Sequence, residues 1–374
     1  MTDESASEIR SALGSWFATN RRDLPWRQSK DPYQIWLSEI ILQQTRVEQG
    51  LPYFDRFLTR FPTVESLASA NIDDVLIVWE GLGYYSRARN LHKAATQIVQ
   101  ERDGALPVTF DDWLKLPGVG PYTAAAVSSI AHGEARAVVD GNVIRVLSRL
   151  VALDTEVGTA QGKREISALA DALLDRSSPG LHNEALMELG ALVCIPRQPD
   201  CSSCPFQDSC LAYSTDRMHE FPRKKRKPKV PHYDISVGII RDGRDRVFIQ
   251  RRADEAMLGG LWEFPGGKNE KGESLEETCV REIREEIGVD VIVTEHIASL
   301  DQAYSHFKIS LHAYACEAIG DLLPVSSLQT AWVTREELAG YAFPRANRRL
   351  FDLVEIPSSG TLDSGSEYQS QRQD

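Results

Sequence analysis

Apolar residues recur three and four positions apart from residue 5 to about residue 215, the spacing that lays one face of a helix against a core. In PYQIWLSEIILQQTRVEQGLPYFDRFLTRF and TVESLASANIDDVLIVWEGLG the runs are punctuated by Pro and Gly, and no convincing strand pattern intervenes. An all-helical domain is therefore expected over residues 1–215. The stretch FPRKKRKPKVP, residues 221–231, is Pro-bounded and basic, the composition of a linker, which is set at 216–232. Beyond it the period changes. HYDISVGIIRD and RVFIQRR read as short strands joined by a DGRD turn; a Gly-rich segment, a helix over about 274–287 and further strands complete a mixed α/β domain over 233–357. From Ser358 to residue 374 the chain is rich in Ser, Gly, Gln and acids, the composition of a disordered tail.

A length of 374 residues, 42% hydrophobic and 26% charged, fits two globular cores rather than one. The N-terminus lacks a cationic start followed by an apolar run, and no apolar stretch is long enough to span a bilayer. A cytoplasmic, intracellular protein with no membrane partner is expected. The formal charge of −12 divides unevenly: residues 1–230 hold 27 Lys+Arg against 29 Asp+Glu, residues 231–374 hold 15 against 25. A first half near −2 can still focus positive potential on one face, so nucleic acid is not excluded as a partner.

Four of the six cysteines, Cys194, Cys201, Cys204 and Cys210, fall within seventeen residues as C-x6-C-x2-C-x5-C. In a reducing compartment a metal site is favoured over disulfides, and the spacing alone suits zinc or an iron–sulfur cluster. LPGVGPYTAAA, residues 116–126, places Gly118 and Gly120 ahead of a helix, where backbone N–H groups can approach a phosphate; a plain Gly-rich helix connection is the alternative. In VVDGNVIRVLSRL, Asp140 precedes a helical run, which taken alone reads as an N-cap.

In this order LPGVGPYT, VDGNV and the four-cysteine spacing resemble the helix-hairpin-helix superfamily of DNA glycosylases, in the branch carrying a [4Fe-4S] cluster. WLSEIILQQTRV and GLGYYSRARNLHKAA are similar to signature segments of its MutY family of adenine DNA glycosylases, and the resemblance covers nearly the whole chain. It implies a multidomain protein, an all-α glycosylase domain with a [4Fe-4S] loop followed by an α/β Nudix-like domain. The cluster on Cys194, Cys201, Cys204 and Cys210 is expected to be structural. Cleaving the bond to a neutral adenine needs an acid for the leaving base and an anion for the developing oxocarbenium ion. Glu39, in the apolar WLSEIIL helix, is expected to be kept protonated by desolvation. Asp140, at a helix N-terminus, is expected to be kept ionised and to stabilise the sugar cation through a transient covalent adduct. The resemblance further implies that Tyr122 and Asn142 hold the catalytic carboxylates and water. It assigns Leu24, Trp26, Arg27, Gln44 and Glu184 to the adenine pocket, and Gln44 and Tyr84 to wedging at the vacated base position. Bifunctional relatives carry a lysine where Tyr122 stands, so a monofunctional enzyme leaving an abasic site is expected.

The second half is expected to read 8-oxoguanine through Tyr304, Ser305 and His306, which resemble the family's F-S-H loop with Tyr in place of Phe. It also carries a complete Nudix hydrolase pattern, Gly267-x5-Glu273-x7-Arg281-Glu282-Ile283-x-Glu285-Glu286-x-Gly288-Val289, where family members generally carry a degenerate one. Glu282, Glu285 and Glu286 at i, i+3 and i+4 share a helix face suited to Mg²⁺, and Arg281 is placed to pair with them instead. An inherited scaffold, a metal-braced loop and a hydrolase of nucleotides such as 8-oxo-dGTP all remain open. The expected partner is double-stranded DNA with adenine opposite 8-oxoguanine or guanine, bound by a monomer. The KKRKPK run is suited to phosphates, to an acidic repair or replication partner, or to solvent alone. Competing readings are a sister glycosylase acting on a base such as thymine, a Nudix hydrolase tethered to a DNA-binding domain, and a non-enzymatic iron–sulfur DNA-binding protein.

Overall fold

A computed structural model describes residues 3–225, 230–244, 246–304, 306–320 and 328–354. Ser305, residues 226–229 of the basic run and the tail from Ser358 lie outside the described residues. The chain divides into two units, Met1–Val78 with Arg87–Pro228, and Trp79–Ser86 with Lys229–Asp374.

The first unit is helical throughout its described residues. Its principal helices are α1 (Asp3–Asn20), α2 (Pro32–Leu42), α3 (Val47–Arg60), α4 (Ser86–Arg102), α5 (Pro121–His132), α6 (Gly141–Leu150), α7 (Ala160–Leu173) and α8 (Pro179–Leu192). α2 starts where the Asp31 carboxylate accepts from the Tyr33 N–H, with Pro32 at the first helical position. Its residues Tyr33 to Ile41, except Gln34, are buried, so it runs through the interior and carries Glu39 with it. One core joins Leu13 and Phe17 of α1, Val143 and Leu147 of α6, Ile166 of α7 and Leu186 and Leu189 of α8. Burial of each such side chain is worth about 1.5–3 kcal/mol.

The first long apolar run does not form one helix; it breaks between Leu42 and Val47. Distant partners satisfy polar groups at the break. Arg87 of α4 donates to the carbonyls of Ile40 (2.7 Å) and Ile41 (3.0 Å), and Gln43 donates to Thr123 Oγ1 at 3.1 Å. The basic stretch after the cysteines is tied down at its start. Phe221 is buried, Arg217 and Arg223 pair with Asp154, and the Val157 N–H donates to the Arg223 carbonyl.

The second unit holds strands β1 (His232–Ile240), β2 (Val247–Arg251), β3 (Trp262–Glu263), β4 (Gly266–Lys268), β5 (Val291–Ala303), β6 (Lys308–Ala318) and β7 (Thr330–Val333), with helices α9 (Leu275–Ile287) and α10 (Arg345–Phe351). Two sheets form, β4-β1-β6-β5 and β3-β2-β7, with β1 and β6 parallel. The strands expected to flank the DGRD turn share one bridge, Arg241 to Val247, and then diverge into different sheets. α9 opens on a capping box, Ser274 with Glu277, and closes on Gly288 in the left-handed region. It packs on the larger sheet through Cys279, Ile283 and Ile287.

Candidate active site

Three helices bring their functional groups to one place in the first unit. α2 contributes Glu39, 7% exposed, whose Oε2 accepts the hydroxyl hydrogen of Tyr122 on α5. Gly118 adopts φ +73°, a conformation that side-chain-bearing residues rarely take, and Gly120 with Pro121 then opens α5 beside α2. α6 contributes Asp140 as its N-cap: Oδ1 accepts from the Val143 N–H at 2.7 Å and Oδ2 from Asn142 Nδ2 at 2.9 Å. Asn142 is fixed in turn by Arg145, whose Nη2 donates to its Oδ1 at 2.8 Å. α8 crosses α6 closely at this point. A Cβ on Gly190 would stand 2.6 Å from the Asn142 Cβ, so only glycine allows the approach.

Burial pushes the Glu39 carboxyl up to about 7, with the charges of Asp140 and Glu184 adding to the rise and the Tyr122 hydrogen bond and Arg27 opposing it. Burial likewise holds the Tyr122 hydroxyl well above the ordinary phenol range, so Tyr122 remains a donor. Asp140 departs from the expectation that its helix N-terminus keeps it ionised. Burial raises its carboxyl above the ordinary range, and the Val143 and Asn142 amides, the Asn142 side chain and Arg145 offset that rise only in part.

Behind these carboxyls lies an ion-pair network. The segment between α1 and α2 places Arg27 so that Nε meets Glu184 Oε1 at 3.1 Å while Nη1 and Nη2 meet Glu188 at 2.9 and 3.0 Å. Arg22 adds three donations to Glu188, from its backbone N–H (2.9 Å), Nε (3.0 Å) and Nη2 (2.7 Å). Burial alone would raise Glu188, yet the donations from Arg22 and Arg27 hold it at about 2. Glu188 and Arg22 were not singled out from sequence. Glu184 and Glu188 stand one helical turn apart on α8, so the shared face was readable, but the arginines reaching it come from more than 150 residues away. Leu24 and Trp26 are buried, and the Trp26 ring packs edge-on against Phe54 with centroids 5.1 Å apart.

The four clustered cysteines line a common cavity of about 30 Å³ with Val146, Arg149 and Phe206. Burial and one another's charge push the thiols of Cys201, Cys204 and Cys210 upward, the behaviour of sulfurs that need a cationic centre to ionise. Arg149, 3% exposed, donates to Cys194 Sγ at 3.3 Å and to the carbonyls of Ile195, Pro196 and Met218. An all-thiol donor set beside a buried guanidinium fits an anionic iron–sulfur centre.

A family model described as HhH-GPD superfamily base excision DNA repair protein matches residues 37–174, and one described as NUDIX domain matches 236–353. The adenine DNA glycosylase of Mus musculus is 33% identical over 408 residues, which cover 94% of this chain and 79% of that protein. The chain belongs to the adenine DNA glycosylase family. The Homo sapiens adenine DNA glycosylase is 32% identical over 94% of this chain and 75% of its own length. Among solved structures, that of a thermostable thymine-DNA glycosylase superposes on 57% of this chain and 98% of its own, with TM-score 0.52 and 28% identity.

Other residues singled out for this family are less gathered. Gln44 is exposed beyond the end of α2, and Gly118 is exposed at the hairpin turn. Tyr84, at φ +49°, lies in the Trp79–Ser86 segment that groups with the second unit. Within that unit its ring meets the exposed His306 edge-on at 6.0 Å. Tyr304 stacks on Phe307 with centroids 4.6 Å apart.

The three Nudix-box glutamates do not stand free on one face. Arg281 bonds Glu273 (2.6 Å), Glu282 (2.9 Å) and Glu285 (3.2 Å). Glu286 turns inward, where it accepts from the Gly266 N–H at 3.0 Å and from Gln250. Among the described residues no three His, Cys, Asp or Glu side chains, neither these glutamates nor the four cysteines that line their common cavity, are gathered as the ligands of a single metal ion. No helix among them is long and apolar enough to cross a membrane.

Proposed function

We propose that the helical unit hydrolyses the N-glycosidic bond of adenine opposite 8-oxoguanine or guanine in double-stranded DNA. One observation carries the assignment of roles: burial raises both Glu39 and Asp140, but Glu39 has one side-chain donor opposing that rise whereas Asp140 has a donor on each oxygen. Glu39 has a single phenolic donor and a pKa raised to about 7, so it holds a proton near neutrality. Asp140 has a donor on each oxygen, two bonds that only the carboxylate accepts in full.

With the base swung out of the duplex, protonated Glu39 delivers its hydrogen to adenine N7. The C1′–N9 bond then breaks with its electron pair going to the base. The positive charge left on the sugar is stabilised by Asp140, and water adds at C1′, returning a proton to Glu39. Tyr122 orients the acid and provides no amine for a Schiff base, so the product is an intact strand with an abasic site. Arg27, Glu184, Leu24 and Trp26 frame the adenine pocket. Gln44 and Tyr84 wedge the duplex, while the amides after Gly118 and Gly120 take a phosphate. Cys194, Cys201, Cys204 and Cys210 would hold the [4Fe-4S] cluster, which supplies a structural cross-link of the loop when bound.

In the second unit, Tyr304, Ser305 and His306 read 8-oxoguanine. The Nudix box serves there as a brace made by its own side chains, Arg281 across three glutamates and Glu286 on the Gly266 turn. The reading is tested with duplexes bearing adenine or thymine opposite 8-oxoguanine or guanine, scored before and after alkali. Breakage confined to the adenine strand and dependent on alkali is expected. Breakage of the thymine strand, or breakage without alkali, defeats it.

A further inference from the structure

We infer that Glu188 is a positioning residue for the acid step, holding Arg27, together with Arg22, so that its own charge offsets theirs and limits the pull of Arg27 on Glu39. The inference rests on the glycosylase reading above. Its geometry is unusual for a stabilising ion pair: two guanidinium groups converge on one carboxylate whose side chain is 1% exposed, with five donations filling both oxygens. A single arginine would satisfy such a carboxylate. The second guanidinium is accounted for by Glu184, which takes the remaining Nε of Arg27. Arg22, Arg27, Glu184 and Glu188 thus form a set of zero net charge, with exposed Glu48 at 3.5 Å from Arg22 as its only other acidic contact among the described residues.

The charged and titratable groups facing Glu39 are Tyr122 from α5, Asp140 at the start of α6, Glu184 from α8 and Arg27. Glu188 faces Arg22 and Arg27 and is felt by Glu184. Replacing its carboxylate by a neutral amide leaves the set at +1. Arg27 loses its two-pronged anchor and keeps only its Nε bond to Glu184, and its charge, no longer offset by Glu188, acts more strongly on Glu39, where it favours the carboxylate. The acid then loses its proton at lower pH. A purely structural loss would instead lower the rate alike at every pH.

The test is single-turnover adenine release by the full-length protein from an adenine:8-oxoguanine duplex between pH 5.5 and 9, for wild type, Glu188→Gln and Glu188→Asp. For Glu188→Gln the alkaline limb should move down by about one pH unit, giving about a tenfold loss at pH 8 but only about twofold at pH 6. Glu188→Asp, which keeps the charge but shortens its reach to the two arginines, should move the limb down by a smaller, still measurable amount. A folded Glu188→Gln protein, judged by its melting transition and duplex binding, whose limb coincides with wild type overturns the inference. If Glu188→Gln does not fold, Glu188→Asp is compared instead: a smaller downward shift supports the inference and an unshifted limb overturns it. Wild type that releases no adenine refutes the glycosylase reading itself, whereas active wild type with an unshifted variant refutes only the role of Glu188.

Discussion

Glu39→Gln should cost the protein its adenine-releasing activity and at the same time make it more stable, by an amount that depends on pH. The ordinary carboxyl value is 4.5 and burial raises Glu39 to about 7. Below 4.5 the group is protonated in the folded and unfolded chain alike and adds no pH dependence. Between 4.5 and about 7 the unfolded chain ionises while the folded one stays neutral, so stability falls as pH rises; above about 7 the loss is complete. A difference of about 2.5 units corresponds to about 3 kcal/mol at pH 8 and about 0.8 kcal/mol at pH 5. Glutamine keeps the shape and an acceptor for the Tyr122 hydroxyl but carries no ionisable proton, so it escapes this cost. For a helical unit of this size the gain at pH 8 amounts to roughly 6–12 °C in the melting midpoint, shrinking to about 2–3 °C at pH 5. The assay is thermal melting of both proteins from pH 5 to 8 at constant ionic strength, followed by circular dichroism, with visible absorbance monitoring the cysteine loop. Equal midpoints at pH 8, or a gap that does not narrow toward pH 5, would refute the claim that burial holds Glu39 protonated.

Asp140→Asn retains an N-cap side chain, so stability should stay within about 1 kcal/mol, while single-turnover adenine release falls by about a hundredfold or more; near wild-type release sinks the anion role. Tyr122→Phe removes the one hydrogen bond that lowers the Glu39 pKa, so the alkaline limb of adenine release should move to higher pH; an unmoved limb shows that the phenol does not tune the acid. Arg149→Met strands the carbonyls of Ile195, Pro196 and Met218 and the contact to Cys194. It should cost about 3 kcal/mol and speed the loss of iron and visible absorbance on warming, and retention equal to wild type argues against Arg149 as the clamp of the loop.

What could be read from the sequence was whatever neighbouring residues decide. The Asp140 N-cap, the helix over about 274–287 and the burial of the WLSEIIL helix depend on residues within one or two turns, and all three are present. The contacts at the break between Leu42 and Val47 were not readable, because Arg87 and Thr123 reach it from distant parts of the chain. The Glu188 network escaped for the same reason, its arginines lying more than 150 residues from its carboxylate along the chain. The Asp140 carboxyl shows a further limit: sequence placed the donors around it, but burial, which opposes them, comes from the packed fold.

The two acidic constellations of this chain make the same point in opposite directions. REIREEIGV spaces its glutamates as a cation site would, and helical geometry alone gives no reason to doubt one. In the folded unit the guanidinium of Arg281 occupies Glu273, Glu282 and Glu285, and Glu286 is spent on the Gly266 amide. A divalent ion would have to displace a cation already seated in its own helix, and would gain only a partly exposed site in return, since the Glu285 side chain is 62% exposed. Glu39 stands alone in its helix and suggests no cluster, yet the fold buries it and brings Asp140 and Glu184 close enough to raise it further, while Arg27, bonded to Glu188, opposes the rise only in part. Reactivity therefore follows the neutralising partner rather than the motif. Where the nearest arginine is free to pair, the acids become a brace. At Glu39, where Arg27 is bonded to Glu184 and Glu188, burial prevails and the carboxyl is raised to about 7.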